Sequence, residues 1–385
     1  MKKMSKIVSL TMAAALAAAS LSMSACADGE EKIEIAVTGG GEDSMQLNTA
    51  TSGYLNGLSA LRHLYEGLYK LDANGEIALG QAASVETSED KLTWTFTLRD
   101  DITWSDGQPV TAGDFVFGFD NLAAQGGDYS TILSDVAESY EAPDDKTLVI
   151  KLKQPCGYLP SILAFPSTYP ARQDYVEKYG EAYATDPDKA VYNGPYEMES
   201  WAHESEVVMK LRDDYYDAAN IEVGTINWEL ITEESSALAS FESGEYVYSD
   251  MCPDEEKPRM EGNGLVYTEG NNNYCVMFNL GDKGNEVLKD EKVREALSLT
   301  IDRDRLISIR GLNDEMGVTL ACRGYVNADG TDFVDYCDPW EDVSAYEENC
   351  ETAKQLLSDA GYPDGEGFPA LTYIVNNDSR KEIAE

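Results

Sequence analysis

The stretch that decides the fold runs from Leu92 to Phe119 and reads LTWTFTLRDDITWSDGQPVTAGDFVFGF. Apolar residues and threonines alternate over residues 92–98 with the period of two that a half-buried β-strand requires, so we predict a strand there. Asp106-Gly107 indicates a tight turn, because glycine adopts the left-handed backbone conformation without strain. Thr111 and Asp114 have the spacing of a capping box, which predicts that a helix starts here. A strand, a turn and a capped helix in one short stretch indicate a mixed α/β protein.

Similar signals recur along the rest of the chain. The prolines of 155–170 predict an extended, irregular crossing segment. Thr232 is expected to cap one helix and Gly244 to end it. Strands are predicted at 33–37, 146–153, 196–201, 206–212 and 371–375, and helices at 58–69, 232–243, after Asp290 and at 346–360. Helices and strands that alternate with long irregular stretches indicate an α/β protein of several lobes.

Length and charge exclude several classes of protein. The chain has 385 residues, with 29 Lys and Arg against 71 Asp and Glu, so its formal net charge is −42. A single core stops growing near ~250–300 residues, which predicts more than one domain. The negative charge would repel phosphate backbones, so no nucleic-acid partner is expected. Only two histidines occur, His63 and His203. They leave few candidates for histidine-based catalysis or for a metal site, and no cofactor is predicted.

The N-terminus indicates export. Residues 1–26 begin with lysines, continue through an Ala-rich apolar stretch too short to span a bilayer, and end in Met23-Ser24-Ala25-Cys26, which resembles a bacterial lipobox. We therefore predict a lipoprotein signal peptide over 1–25, lipidation of Cys26 and a polar tether over 26–32. An ordinary secretory signal with an incidental cysteine is the alternative. The predicted location is the extracellular face of the bacterial cytoplasmic membrane, or the periplasmic space, with membrane contact only through the lipid.

Six cysteines remain after Cys26, and their redox state is open. Export permits disulfides, but six cysteines allow 15 connectivities, and buried thiols explain the pattern equally well. They are Cys156, Cys252, Cys275, Cys322, Cys337 and Cys350.

Seven segments occur in an order that resembles a known family, the family-5 solute-binding lipoproteins of oligopeptide and dipeptide ABC importers. The most specific are 92–119 and 290–307. The others are 64–69, 193–201, 211–218, 241–247 and 353–369. The resemblance implies a two-lobed, periplasmic-binding-protein-like cleft fold with an inserted third domain.

The resemblance also implies a division of the chain. Lobe I would comprise 33–72 and 190–272, and the inserted domain would comprise 73–189. Lobe II would comprise 273–385. Family members continue well beyond the strand predicted at 371–375, so lobe II is expected to be truncated and incomplete here.

The same resemblance places the peptide-binding residues on the strands and loops that border the cleft. Tyr54 and Tyr274 are the strongest candidates, because tyrosine offers both an apolar face and a hydroxyl. Packing between lobes is the alternative role for both. The full set is Ser52, Gly53, Tyr54, Leu55, Tyr129, Asp250, Met251, Cys252, Tyr274 and Cys275.

The resemblance implies a monomeric receptor that captures short peptides and delivers them to an ABC permease and its ATPase subunits. Alternatives remain open within the same fold: a nickel complex, haem or an oligosaccharide as the solute, or a role as a peptide-signal sensor. A secreted hydrolase is a further alternative, but the chain contains no GxSxG or HExxH motif. We therefore predict no enzymatic activity and no catalytic residue.

Overall fold

The computed structural model describes residues 31–38, 45–53, 55–253, 255–266, 275–310, 316–317, 319–327, 329–337 and 345–374, with the backbone alone at 31–38, 55 and 310. The predicted signal peptide and Cys26 lie outside the described residues. The chain divides into two compact units, Met1–Pro253 and Asp254–Glu385.

The first unit contains three sheets and several helices. Its strands are β1 (Glu31–Thr38), β2 (Tyr69–Leu71), β3 (Ile77–Leu79), β4 (Ala82–Thr87), β5 (Thr93–Leu98), β6 (Ala137–Asp144), β7 (Thr147–Leu152), β8 (Tyr196–Ala202), β9 (Glu206–Leu211), β10 (Val223–Ile231) and β11 (Tyr248–Ser249). Its helices are α1 (Leu55–Leu64), α2 (Ala112–Gln125), α3 (Leu159–Leu163), α4 (Gln173–Tyr179) and α5 (Glu234–Ser243).

The largest sheet has the order β11-β1-β10-β9-β8. Its β1 strand is parallel to both neighbours, β10 and β11, whereas β9 is antiparallel to its neighbours β10 and β8. A second, antiparallel sheet has the order β4-β5-β7-β6, and β2 and β3 form a hairpin. The sheets thus group β1 with strands from residue 196 onward, and separately group the strands between residues 82 and 152.

One hydrophobic core joins these sheets. It includes side chains from α1, from the four-stranded sheet and from the five-stranded sheet, among them Leu61, Leu64, Phe96, Ile150, Val207 and Trp228. Burial of apolar surface therefore holds the stretch between residues 73 and 189 against the five-stranded sheet. The division of this unit into lobe I and an inserted domain stays a prediction.

The deciding stretch folds as predicted. Phe96 and Leu98 of β5 are buried in the core, as a half-buried strand requires of its inner face. Gly107 has φ of 80°, as the predicted turn requires. The capping box at the start of α2 is complete: the Asp114 amide donates to Oγ1 of Thr111 (3.3 Å), and the Thr111 amide donates to the Asp114 carboxylate (2.8 Å).

Two predictions, one of a helix and one of an irregular segment, were wrong in detail. Helix α1 ends at Leu64, not at 69, because the next residues make tertiary contacts: a Cβ on Gly67 would lie 2.6 Å from the carbonyl oxygen of Leu163. The segment 155–170 contains helix α3 in place of an irregular crossing. Proline in the first turn of α3 is compatible with a helix, because that position needs no amide donor.

Two further predictions, one of a helix cap and one of a strand, were also wrong. Helix α5 starts at Glu234, and its N-cap is Glu233 without a side-chain hydrogen bond, so Thr232 is not the cap. Gly244 does end the helix in the left-handed conformation, with φ of 79°. Residues 371–374 form no strand in the structure, although their sequence alternates.

The described part of the second unit contains four helices, two of which share a small core. They are α6 (Lys257–Met260), α7 (Glu291–Leu299), α8 (Arg303–Arg310) and α9 (Tyr346–Asp359). The Asp290 side chain caps α7 by accepting the Lys292 amide at 3.0 Å. Ala296 and Leu299 of α7 pack against Ala353 of α9.

Candidate functional site

A buried carboxylate, Glu66, lies directly after α1 and anchors the core of the first unit. Its side chain accepts hydrogen bonds from the hydroxyls of Tyr215 (2.7 Å) and Tyr216 (3.1 Å) and from the amide of Gln81 (3.3 Å). The ammonium of Lys70 lies 3.1 Å away. Glu66 is only 3% exposed, so these partners supply the interactions that a buried charge requires. Burial and the Glu66 charge both raise the pKa of Tyr215 far above its ordinary value.

Arg212, at the end of β9, is a second buried charge with a residue exposure of 3%. Its guanidinium donates to the carbonyl oxygens of Tyr192 (2.9 Å), Gly194 (3.1 Å) and Thr103 (3.0 Å). It also forms a two-point contact with the Asp214 carboxylate (3.2 and 3.1 Å). The planar fork of arginine can satisfy several acceptors at once. Arg212 thereby ties together three chain segments that are distant in sequence.

Asn193-Gly194 connects the two buried charges. The Asn193 amide donates to the Glu66 carbonyl (2.8 Å), and the Glu66 amide donates back to Asn193 (3.2 Å). A Cβ on Gly194 would lie 2.6 Å from the backbone nitrogen of Tyr65, so the close approach requires glycine. The segments 64–69, 193–201 and 211–218, three of the seven that carry the family resemblance, therefore meet at Glu66, Asn193 and Arg212. We call this group of contacts the junction, and its role is to hold the fold together.

The first group of predicted binding residues follows a turn organised by Asn48. The Asn48 side chain accepts the Ala50 amide (3.0 Å), and its carbonyl accepts the amides of Thr51 (3.1 Å) and Ser52 (2.9 Å). Ser52 is 2% exposed. Among the described residues, its hydroxyl has no hydrogen-bond partner. Gly53 follows Ser52 and is partly exposed.

The predicted loop around Tyr129 contacts this turn. A Cβ on Gly53 would lie 2.6 Å from Oδ2 of Asp128, and one on Gly127 would lie 3.0 Å from the carbonyl oxygen of Ala50. The half-buried Tyr129 ring packs edge-on against Phe165, with ring centroids 4.6 Å apart. The structure therefore brings together two candidate segments that are more than 70 residues apart in sequence.

Sequence reasoning did not single out Asp128. Its carboxylate is exposed and lies against Gly53, next to the predicted Tyr129. The only signal available was its position beside Tyr129, because an exposed aspartate in a chain this acidic is ordinary.

The candidates Asp250, Met251 and Cys252 continue β11 at the edge of the five-stranded sheet. Met251 is buried, whereas Asp250 is exposed and Cys252 is half-buried. The Ser249 hydroxyl accepts the Met251 amide (3.1 Å) and donates to its carbonyl (3.2 Å), so it occupies both backbone groups just beyond the end of the strand.

The remaining candidates divide between described and undescribed positions. Tyr54 and Tyr274 lie outside the described residues. Leu55 is the first residue of α1, with its backbone alone described. Cys275 is exposed in the second unit.

The part of the chain that the structure describes lacks a metal cluster, a disulfide and a membrane-spanning helix. It contains no cluster of three or more side chains suited to hold a metal ion. The six cysteines, all within it, form no disulfide in the structure. No helix there combines the length and apolar character needed to cross a membrane.

Comparison with known proteins places the chain in a family. Residues 76–385 match the bacterial extracellular solute-binding proteins, family 5 Middle. The chain therefore belongs to the family-5 extracellular solute-binding proteins, which confirms the resemblance found in the sequence.

Particular relatives are similar in sequence and fold. The oligopeptide-binding protein OppA of Bacillus subtilis is 30% identical over 64% of this chain and 49% of its own length. The structure of Burkholderia pseudomallei OppA has a TM-score of 0.75 and 28% identity, over 88% of this chain and 68% of that one. Haemophilus influenzae OppA, in complex with the peptide RPPGFSPFR, has a TM-score of 0.74 and 26% identity, over 86% and 67%.

These likenesses confirm the α/β fold class of periplasmic peptide-binding proteins. The chain spans 49% to 62% of the length of the first curated relatives that it matches.

Proposed function

We propose that this protein is the substrate-binding lipoprotein of an ABC importer, which captures short peptides and delivers them to a membrane permease. The observation that carries the proposal is the fold likeness to oligopeptide-binding proteins, including one in complex with a nonapeptide. Because the family is one of solute-binding proteins, the proposal assigns a binding role and no catalysis. We propose that the protein lies outside the cytoplasmic membrane and is held there by a lipid on Cys26. We also propose that it is a monomer.

We further propose that lobe I comprises 33–72 and 190–272, with 73–189 as the inserted domain and 273–385 as part of lobe II. The grouping of β1 with β8–β11 in one sheet supports a lobe I built from two separate stretches of chain. The separate four-stranded sheet between residues 82 and 152 supports the inserted domain.

The proposed site includes Ser52-Gly53, the Tyr129 loop and the end of β11, together with Tyr54, Leu55, Tyr274 and Cys275. The contact between the turn that contains Gly53 and the loop that contains Tyr129 supports a common surface. The position of β11 at a sheet edge supports the addition of an extended peptide along that edge, which would bring the peptide close to Asp250, Met251 and Cys252.

Strand addition explains why such a receptor would accept many sequences. Each backbone hydrogen bond contributes only about 0.5–1.5 kcal/mol and does not depend on the side chain. Several such bonds, with closure of the lobes, are needed to reach the ~8 kcal/mol of a micromolar site.

The test is native mass spectrometry on the full-length protein carrying Cys26→Ser, purified without denaturation. We expect a series of bound masses that fragment into short peptides. Tyr129→Ser should lower peptide occupancy. Tyr158→Ser, which changes an exposed tyrosine outside the proposed site, is the matched control.

Other bound masses would favour the alternatives. A single adduct with the mass of a nickel complex, haem or an oligosaccharide, or a protein that ignores added peptides, would contradict the peptide assignment. Binding confined to one defined peptide would favour a signal sensor over a nutrient importer.

A further inference from the structure

The carboxylate of Asp128 lies in direct contact with a predicted peptide-binding residue. A Cβ placed on Gly53 would be 2.6 Å from Oδ2 and 3.5 Å from Cγ of Asp128. Asp128 itself is exposed, so a bound molecule can reach its charge. This places a negative charge within the site proposed above.

The backbone around Asp128 is held in a defined turn. Helix α2 ends at Gln125, and the next residue, Gly126, has φ of 66°. The Ser130 amide then donates to the Gly127 carbonyl (3.0 Å), and the Ile132 amide donates to the Tyr129 carbonyl (3.0 Å). These bonds hold the backbone of the loop, so the fold fixes where the Asp128 side chain leaves the main chain.

Among the described residues, the Asp128 carboxylate has no cationic partner. Within the part of the chain that the structure describes, no lysine, arginine or histidine nitrogen forms a salt bridge with Asp128, whereas other acids such as Glu66, Asp106 and Asp186 do have such partners. An exposed carboxylate without a cationic partner suits a group that carries both positive charge and hydrogen-bond donors.

We propose that Asp128 is a specificity-determining residue that favours peptides carrying an ammonium or guanidinium group beside Gly53. This inference rests on the proposed peptide-binding function. The cation is either the free amino terminus of the peptide or a lysine or arginine side chain, since both offer the same charge and donors. The overall net charge of the protein raises the arrival rate of any cation, whereas Asp128 acts at one place on the bound peptide.

The experiment measures peptide affinity by titration calorimetry, using the full-length Cys26→Ser protein as the reference. Its variants are Asp128→Asn and the control Asp100→Asn. Asp100 is an exposed acid just after β5, and its replacement by Asn removes the same unit of charge. The probes are trialanine, N-acetyl-trialanine, Ala-Lys-Ala and the same peptide with norleucine in place of lysine. We expect Asp128→Asn to weaken the binding of the peptide that carries the recognised cation, trialanine or Ala-Lys-Ala, by about three- to fivefold. This is the size expected for an ion pair in contact with solvent.

The peptide pairs identify the source of the cation. If Asp128→Asn abolishes the preference for trialanine over its acetylated form, the partner is the amino terminus. If it abolishes the preference for lysine over norleucine, the partner is a side chain. In either case the preference in the reference protein should diminish as salt is added.

Failure of this inference differs from failure of the proposed function. If the reference protein binds peptides but Asp128→Asn and Asp100→Asn have equal affinities for every probe, the role of Asp128 is wrong and the receptor proposal stands. If the reference protein binds none of the four peptides, both are wrong. Thermal unfolding of the variants, followed by circular dichroism, confirms that they are folded.

Discussion

Replacing Arg212 by methionine should strongly destabilise the first unit. The change keeps an unbranched apolar stem and removes the guanidinium, which lies almost fully buried among the carbonyls of Thr103, Tyr192 and Gly194. No solvent can readily replace the lost donors at such a site. Each of these carbonyls then loses a hydrogen bond from a charged donor.

The magnitude follows from these contacts. Removing one partner from a buried charged network costs about 3–5 kcal/mol, because polar groups remain buried without partners. The ion pair with Asp214 adds at most about 1 kcal/mol, since the Asp214 side chain is 52% exposed. Arg212→Lys should cost less, about 2 kcal/mol, because it keeps the charge but cannot reproduce the planar fork.

The assay is urea unfolding followed by tryptophan fluorescence, which reports on Trp104 and Trp228 in the core of the first unit. The matched control is Arg62→Met, an exposed position on α1, which should change the free energy of unfolding by less than about 0.5 kcal/mol. If Arg212→Met and Arg62→Met unfold at the same urea concentration, the energetic role assigned to the junction is wrong.

Two further predictions concern the same unit. His63 packs against the rings of Tyr196 and Trp228, and its pKa is lowered, first by burial and also by the charge of Arg62, despite the opposing hydrogen bond to the Ser59 carbonyl. Because the unfolded chain then takes up a proton that the folded chain resists, stability should fall as the pH drops below about 6.5, by up to ~1.4 kcal/mol per unit of pKa shift. Urea unfolding between pH 7.5 and 5 should show a smaller loss in His63→Phe, with His203→Gln as the exposed control; equal slopes in His63→Phe and the unmodified protein would contradict the assignment. Thr111→Val removes the capping hydroxyl of α2 and should cost about 1 kcal/mol, measured by urea unfolding against Thr97→Val at an exposed strand position; a cost no greater than that of the control would show that the cap contributes little.

Local patterns in the sequence predicted several elements well, and their errors have physical causes. The alternation of residues 92–98 and the capping box at Thr111 depend on neighbours in the chain, and both appear in the structure. The alternation at 371–374 also favours a strand, but a strand needs a hydrogen-bonding partner, and these residues pair with none in the described part of the chain. Helix α1 ends early because Gly67 packs closely against the backbone of Leu163, which is distant in sequence.

The candidate site could be predicted only in part. Ser52, Gly53 and Tyr129 were predicted as candidates through resemblance to a family, and the structure brings their two segments into contact. Asp128 could not be identified, because its significance depends on Gly53, which is distant in sequence. The roles of these residues in binding stay predictions until ligand is measured.

By itself, the sequence determined the family, the α/β class and the principal strands and helices, because these depend on ordered motifs and on local spacing of apolar residues. Only the tertiary structure decided that Glu66, Asn193 and Arg212 form one buried junction, and that Asp128 lies against Gly53. Such contacts depend on how distant segments pack. The role of a buried charge, or of a glycine at a close approach, is evident only when the residues that surround it are known.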